Sequence, residues 1–315
     1  MTGKVNMLVV ILMSTYNGEK YLANQIYSLM QQSHKYWQLF IRDDGSTDST
    51  IDIINKFIAL DKRINLVSDT LGNLGAGKSF WALLRYSNSE YTMFCDQDDI
   101  WFEKKIELML KFSEEKFDKN VPCLSYSNAH PYSDEEGVVL SNSMLHLHAK
   151  ELKDFIFLNG GYHGCCLMFN NKLLKLAQEY KKVFFLHDDI ICLLAYTFGK
   201  VYYLPKSLML YRQHEKNVTA HVRLNKFEII KKFFDRDACV VNHAHYQEKV
   251  NFYNNYKELI NNNVQKFFTN FFLYVNVGFA TRLWLVFRNK FTNAGSIGVL
   301  LLKTLIRKPL GNFKK

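Results

Sequence analysis

Along the first hundred residues, apolar positions form short unbroken runs that alternate with stripes recurring every three or four positions. "MLVVILMS" is an apolar run of strand length, and the turn-like "TYNGE" ends it. Leu22, Ile26 and Leu29 then fall on one face, which predicts a helix capped at Asn17 or Gly18. "WQLFIRDDGS" predicts a second strand ending in acid, and "STDSTIDIINKFIAL" a second helix with Ile51, Ile54 and Ile58 on one stripe. "INLVSD", "GKSFWALLRYS" and "YTMFCDQDD" supply a third strand, a third helix and a fourth strand, again ending in acid. Strands alternating with helices predict an α/β fold, a mostly parallel sheet with helices on both faces. Ligands of such sheets bind beyond the carboxyl ends of the strands, so "STYNG", "DDGS" and "DQDD" should meet on one rim.

Composition adds an appendage to this picture. The chain has 315 residues, 48% of them hydrophobic, which suits one catalytic domain over 1–220 and an extension over 221–315. Its net charge is +10, and the basicity is concentrated late. After Glu258 there is no acid, whereas Lys266, Arg282, Arg288, Lys290, Lys303, Arg307, Lys308, Lys314 and Lys315 are all cationic. The six cysteines form no C-x-x-C pair and sit in apolar runs, so they read as reduced, packed thiols of an intracellular protein. No basic leader with a small-residue cleavage site opens the chain.

"GNLGAGKS" at 72–79 fits the phosphate-loop pattern G-x-x-x-x-G-K-[ST]. Such a loop needs its first glycine directly after a buried strand, so that backbone amides and the helix start face the phosphates. Here the polar "SDTL" intervenes between Val67 and Gly72. The expectation is therefore a glycine turn opening a helix, not a triphosphatase site.

The acids carry the chemistry. In "FCDQDDIW", Asp96 and Asp98 stand two apart at a strand end, able to project to one side and share a divalent cation that bridges to a diphosphate. Oxygen ligands favour Mg²⁺ or Mn²⁺. Asp43 and Asp44 can cap the next helix or accept hydrogen bonds from a pyrimidine imide or a ribose hydroxyl. "FFLHDDIICLLAY" sets His187, Asp188 and Asp189 between apolar stretches, where low dielectric raises a carboxylate's proton affinity towards useful basicity. Arg212 in "YRQHEKN" has the fork geometry to counter a diphosphate. Gly160, Gly161 and Gly164 would let the backbone approach a ligand closely. Cys166 reads as packed rather than nucleophilic, and the histidines of "HLH" (146–148) and "HAH" (243–245) read as ordinary.

Taken in order, "MSTYNGEKYLANQIYSL", "IRDDGSTDST", "NLGAGKSF", "FCDQDDIW", "GCCLMFNNKLL", "LHDDI" and "YRQHEKN" resemble the inverting glycosyltransferases of family 2, with the GT-A fold. The resemblance covers about residues 5–220 and is nearest to bacterial rhamnosyltransferases that use dTDP-L-rhamnose to build cell-surface polysaccharides. It implies that Thr15, Tyr16 and Asn17 line the nucleotide pocket, that Asp43 or Asp44 binds the base, and that Asp96, beside Gln97, faces the ribose or diphosphate. Asp98 would ligate the metal, with His214 completing its shell. Trp101 would wall the donor site, and Lys78 would approach the diphosphate. The base would be Asp188, through alignment of His187-Asp188 with the family's acid pair, with Asp189 the alternative.

The tail suits an anionic membrane. "KFFTNFFLYVNVGFATRLWLVFRNKF" is basic and aromatic, but Arg282 argues against a spanning helix, and "SIGVLLLKTLI" is too short to span. The alternative is a helical bundle or homodimer interface in water. Nucleic acid is not expected, since no reading motif accompanies the charge. Together, tail and resemblance imply an enzyme peripheral on the inner face of the plasma membrane, acting on a polyprenyl-diphosphate-linked oligosaccharide. The alternatives are another UDP- or dTDP-sugar donor, or a non-catalytic sugar-nucleotide-binding protein.

Overall fold

A computed structural model of the chain describes residues 7–145, 147–182, 184, 186–214, 231 and 233–312. The first apolar run forms strand β1 (Val9–Thr15), whose residues Val9 to Met13 are at most 3% exposed. Strands β2 (Trp37–Asp43) and β4 (Tyr91–Cys95) pair in parallel on either side of it, with Val9 opposite both Trp37 and Tyr91. Strand β3 (Ile64–Leu66) extends the sheet beyond β2, also in parallel.

The short β5 (Ile100–Trp101) leaves this row, and later strands fill the free edge of β4. These are β6 (Cys123–Ser133), β8 (Leu167–Asn170) and β9 (Lys200–Gln213), with β7 (Val138–Val139) hanging on β6. The order is β3-β2-β1-β4-β8-β6-β9-β5. Because β8 enters from the opposite end, it runs antiparallel to both β4 and β6, so the sheet is parallel in its first half and mixed in its second.

Alternation along β1 decides what covers the sheet. Val9, Ile11 and Met13 face a cluster with α1 (Leu22–Met30), α2 (Thr50–Leu60) and α4 (Lys105–Lys116). Val10 and Leu12 face the other side, towards α3 (Ala76–Leu83), the short α5 (Leu152–Phe155), α6 (Asn171–Gln178) and α7 (His187–Phe198). In α2 the fully buried apolar positions are Ile54 and Phe57, while Ile51 and Ile58 flank them half-buried. The expected isoleucine stripe is thus rotated towards the aromatic ring, which buries more area.

The extension contains β10 (Cys239–Asn242) and β11 (Lys308–Gly311), paired in parallel. Its helices are α8 (His243–Tyr256), α9 (Asn262–Asn276), α10 (Phe279–Asn289) and α11 (Ile297–Ile306). Phe252, Phe268, Phe271, Tyr274, Leu285 and Leu300 join the same buried cluster as Phe157, Phe169 and Ile190. Phe157 meets Phe271 and Tyr274 edge-on at 5.2 and 5.0 Å. The extension is therefore sealed onto the sheet-bearing part by a continuous apolar contact; the expected boundary at 220 lies outside the described residues. No helix among them is long and apolar enough to cross a membrane. All six cysteines are free and buried.

Candidate active site

The ends of β1 and β2 are laced together by polar side chains. Thr15 stands opposite Asp43 in the ladder, and its hydroxyl donates to Asp43 Oδ1 at 2.9 Å. Asp43 also accepts from the amides of Gly45 and Ser46. Asn17 adopts a left-handed φ of 46°, placing its amide 2.8 Å from Ser46 Oγ and its side-chain oxygen 2.8 Å from the Thr47 amide. Tyr16 is half exposed, and its backbone bonds the Gln97 amide in both directions, at 3.0 and 3.1 Å. "STYNG", "DDGS" and "DQDD" thus share a rim.

Asp44 is placed differently from its neighbour. It is 2% exposed, pairs with Arg42, and accepts the amides of Leu74 and Gly75 at 2.8 Å each. Arg42 also reaches Asp69 at 2.8 Å, the Gly72 carbonyl at 2.7 Å and Ser79 Oγ at 3.0 Å. This clasp folds "GNLGAGKS" beside the strand ends and leaves Lys78 exposed on the first turn of α3. Sequence reasoning missed Arg42. Its signal was a cation immediately before two acids at the end of an apolar strand.

Beyond β4, three acids crowd one turn. Asp98 Oδ2 lies 2.8 Å from His214 Nε2, although the two are 116 positions apart. Tyr21 stacks on His214 with ring centroids 5.2 Å apart, and the Arg212 guanidinium lies 4.5 Å from the centre of the same tyrosine. Asp99 is 1% exposed and accepts the Arg212 amide at 3.2 Å, while its Oδ2 has no hydrogen-bond partner among the described residues. Burial first, and then the neighbouring Asp98, raises Asp96 to about 7; burial with Asp98 and Asp96 pushes Asp99 well above the usual carboxylate range. Two of the three acids thus hold their protons more tightly than an ordinary carboxylate. Lys105 is the buried cation beneath the turn, donating to the Cys165 carbonyl at 2.7 Å and lying 4.1 Å from the Trp101 ring centre.

Two residues expected to face the donor are buried behind this turn. Arg212 is 2% exposed, with Nε 2.7 Å from the Asp98 carbonyl and its fork on Asp134, so it braces the acid turn rather than facing the rim. Trp101 is 2% exposed within the core on the α1 side, so it supports the turn from beneath instead of walling a pocket. Asp96, Asp99 and Cys165 offer ligand atoms within 4.8 Å of one another. Burial keeps the Cys165 thiol protonated, which leaves oxygen and imidazole as donors. The oxygens of Asp96 and Asp99, with the Asp98–His214 pair at the same turn, are donors of the type that suits a divalent cation such as Mg²⁺ or Mn²⁺.

Helix α7 supplies the fourth acid. His187 is buried, stacks on Phe80 at 4.2 Å, and is pushed down to about 3 by that burial, so its ring stays neutral. Asp188 Oδ2 accepts the Gly164 amide at 3.2 Å. Burial, then Asp189 and Asp96, pushes Asp188 well above the usual range, so the field of the β4 turn reaches it through Asp96. Asp189 has the opposite character. Burial would raise it, but His245 at 2.8 Å, Lys249 and the Gly161 amide together hold it below the ordinary value. His245, also 3.4 Å from Glu248 one turn along its own helix, is therefore no ordinary histidine; Glu248 stood at i+3 in the sequence, whereas Asp189 comes from a distant segment. The glycines prove necessary for a different reason than expected: a Cβ on Gly164 would come within 2.5 Å of His187 Nε2, and one on Gly161 within 2.9 Å of the Asp188 carbonyl. They let the loop close onto the start of α7. His148 of "HLH" hydrogen-bonds the Tyr126 hydroxyl at 2.9 Å and stacks on Tyr203 at 4.0 Å, while His146 lies outside the described residues.

Comparison with known proteins places this arrangement. The pattern of Glycosyl transferase family 2 matches residues 10–176. The dTDP-rhamnosyl transferase RfbG of Shigella flexneri is 31% identical over 224 residues, covering 65% of this chain and 72% of that protein. The UDP-Glc:alpha-D-GlcNAc-diphosphoundecaprenol beta-1,3-glucosyltransferase WfgD of Escherichia coli is 34% identical over 33% of this chain and 40% of its own length. Among solved structures, S. aureus TarS in complex with UDP-GlcNAc superposes with a TM-score of 0.53 at 20% identity, over 69% of this chain and 62% of that one. Mannosyltransferase PcManGT from Pyrobaculum calidifontis, in complex with GDP-Man and Mn²⁺, superposes with a TM-score of 0.54 at 14% identity, over 94% and 86%. The fold is GT-A, and the chain belongs to glycosyltransferase family 2.

Proposed function

From membership of that family, we propose that the protein transfers L-rhamnose from dTDP-β-L-rhamnose to a hydroxyl of a lipid-linked cell-surface oligosaccharide, with inversion to an α linkage. The observation that carries this reading is the grouping of Asp96, Asp98 and His214 at one strand end, with Asp188 within electrostatic reach. The rhamnosyl donor is favoured by the likeness to RfbG across most of that protein's length.

In this reading Thr15, Tyr16, Asn17 and Gln97 shape the nucleotide pocket, Asp43 or Asp44 receives the imide N–H of the base, and Asp96 meets the ribose or diphosphate. Lys78, exposed at the start of α3, adds positive charge near the diphosphate. A divalent cation held by Asp98 and His214 would neutralise charge on the leaving diphosphate. Asp188 takes the proton of the acceptor hydroxyl as its oxygen bonds to the anomeric carbon. The bond from that carbon to the phosphate oxygen breaks, and dTDP leaves with the electron pair. The raised proton affinity of Asp188 makes it the better base, whereas Asp189 is held as an anion by His245 and Lys249.

The acceptor reading rests on the extension. On α10, Trp284, Phe287 and Arg288 are exposed on one face, with the Arg288 guanidinium 4.6 Å from the Trp284 ring centre, and Leu302 and Leu305 are exposed on α11. Exposed aromatics among cations, in a segment without acids after Glu258, suit an anionic membrane surface. That would bring the site to a polyprenyl-diphosphate-linked acceptor.

Incubation with a panel of sugar nucleotides and Mn²⁺ tests the proposal. Turnover of dTDP-L-rhamnose supports it, and turnover of another UDP- or dTDP-sugar instead replaces the donor. Binding without turnover makes the protein a sugar-nucleotide-binding module, and ATP cleavage would revive the phosphate-loop reading.

A further inference from the structure

The extension contributes more than a membrane-facing surface. Helix α8 places His245, Glu248 and Lys249 against the start of α7, and all three are less than 10% exposed. We propose that His245 is a positioning residue for the transfer reaction: by clamping Asp189, it fixes the turn on which Asp188 is presented, so the catalytic carboxylate depends on the C-terminal region. The inference rests on Asp188 acting as the base.

The geometry gives each group one task. Asp189 Oδ2 lies 2.8 Å from His245 Nδ1 as an ion pair, without the alignment of a hydrogen bond, while its Oδ1 accepts the Gly161 amide. Asp188, the preceding residue, accepts the Gly164 amide at 3.2 Å with Oδ2, and its own Oδ1 receives the Asp189 amide at 3.0 Å. The His245 clamp therefore holds, through Asp189, both the 161–164 loop and the peptide that orients Asp188. Glu248, 3.4 Å from the same ring nitrogen, steadies the imidazole, and Lys249 is held by the carbonyls of Leu158 and His245 at 3.5 and 3.4 Å.

Asp189, His245 and Glu248 also offer ligand atoms within 4.8 Å of one another. Lys249 lines the same pocket, its proton loosened by burial but favoured by Asp189 and Glu248, so the fold supplies its own cationic groups to these acids. The charged or titratable groups facing the imidazole and its partners are His187, Asp188, Asp189 and Cys192 from α7, Glu248 and Lys249 from α8, and Tyr180 after α6, which lies in the field of Glu248. The carboxylates bring His245 to about 9, so it clamps as a cation at neutral pH.

The test pairs an NMR titration of the His245 ring with the pH profile of donor turnover in Mn²⁺, using the full chain and dTDP-L-rhamnose or whichever panel donor is turned over. The wild-type ring should titrate near 9, and kcat should fall on the alkaline side with the same midpoint. His245→Ala should lower kcat by roughly 10- to 100-fold with little change in donor KM, the loss typical of removing a residue that orients a functional one. His245→Asn, which keeps a polar side chain near the Nδ1 position but carries no charge, should lose the alkaline limb. Glu248→Gln, close in shape and expected to fold, should move both the ring titration and the alkaline limb to lower pH. A loss in His245→Ala carried by donor KM with kcat unchanged, or an alkaline limb that stays in place in Glu248→Gln, would overturn the proposal, as would a ring titrating near 6.5 in the wild type. If no sugar nucleotide is turned over, the enzymatic reading fails separately, while the NMR titration still reads the clamp.

Discussion

Two clusters of acids stand within one molecule and differ in who supplies the counter-charge. Around α7 and α8, Asp189 and Glu248 are matched by His245 and Lys249, so the group is neutral, buried and closed. At the end of β4, Asp96, Asp98 and Asp99 share the buried Lys105 with the nearby His214 and Arg212, and Asp96 and Asp99 are both driven upward. Where each acid is paired closely with a cation of the fold, acids act as structure; where acids crowd one another and their proton affinity rises, they suit a cation from outside. The Arg42–Asp44 clasp belongs to the first kind.

The largest effect should come from the acid that belongs to neither cluster fully. Asp188→Asn is expected to lower kcat by roughly 10²- to 10⁴-fold, the usual worth of a general base, while donor affinity in equilibrium binding stays near the wild-type value. Unchanged turnover would move the base elsewhere, with Asp189→Asn tested next. Next comes the clasp: Arg42→Ala leaves Asp44 buried without its partner and should cost about 3–5 kcal/mol in chemical denaturation, the range for breaking a buried pair. A loss below about 1 kcal/mol would show that Asp44 is solvated in solution.

The closed cluster also predicts a pH dependence of stability. His245 binds its proton more tightly folded than unfolded, so its contribution is full below about 6.5 and is lost as pH rises through about 9. Melting temperatures across this window should fall towards alkaline pH in the wild type and stay flatter in His245→Ala. A parallel decline in both would assign the effect to other groups. The smallest expected effect is at the surface. Replacing Trp284 and Phe287 with serine should reduce flotation with anionic vesicles several-fold, without altering turnover of a soluble acceptor, and unchanged flotation would favour the extension as a protein contact in water.

Much of the parallel half of the sheet was legible, because buried strands read as unbroken apolar runs and their acidic ends stand out against them. "VVILMST", "WQLFIRD" and "YTMFC" became β1, β2 and β4 within a residue or two of their apolar limits. The mixed half was not, since β8 joins β4 through a reversal that periodicity does not encode. Asp98 and His214 were recognisable by residue type and resemblance, and the structure puts them 2.8 Å apart. Arg212 and Trp101 had suitable chemistry, but their burial is decided by tertiary packing. His245 looked ordinary because no neighbour in sequence reveals Asp189, 56 positions away, as its partner.

The account's central claim is tested most directly by titrating the protein with Mn²⁺ in the presence of dTDP and following free ion by electron paramagnetic resonance. One bound Mn²⁺ is expected for the wild type and for Asp189→Asn, with binding lost in Asp98→Asn and weakened in His214→Ala. A site that survives Asp98→Asn, or vanishes in a folded Asp189→Asn, would contradict the division between an acid turn open to a metal and an acid knot closed by the protein's own cations.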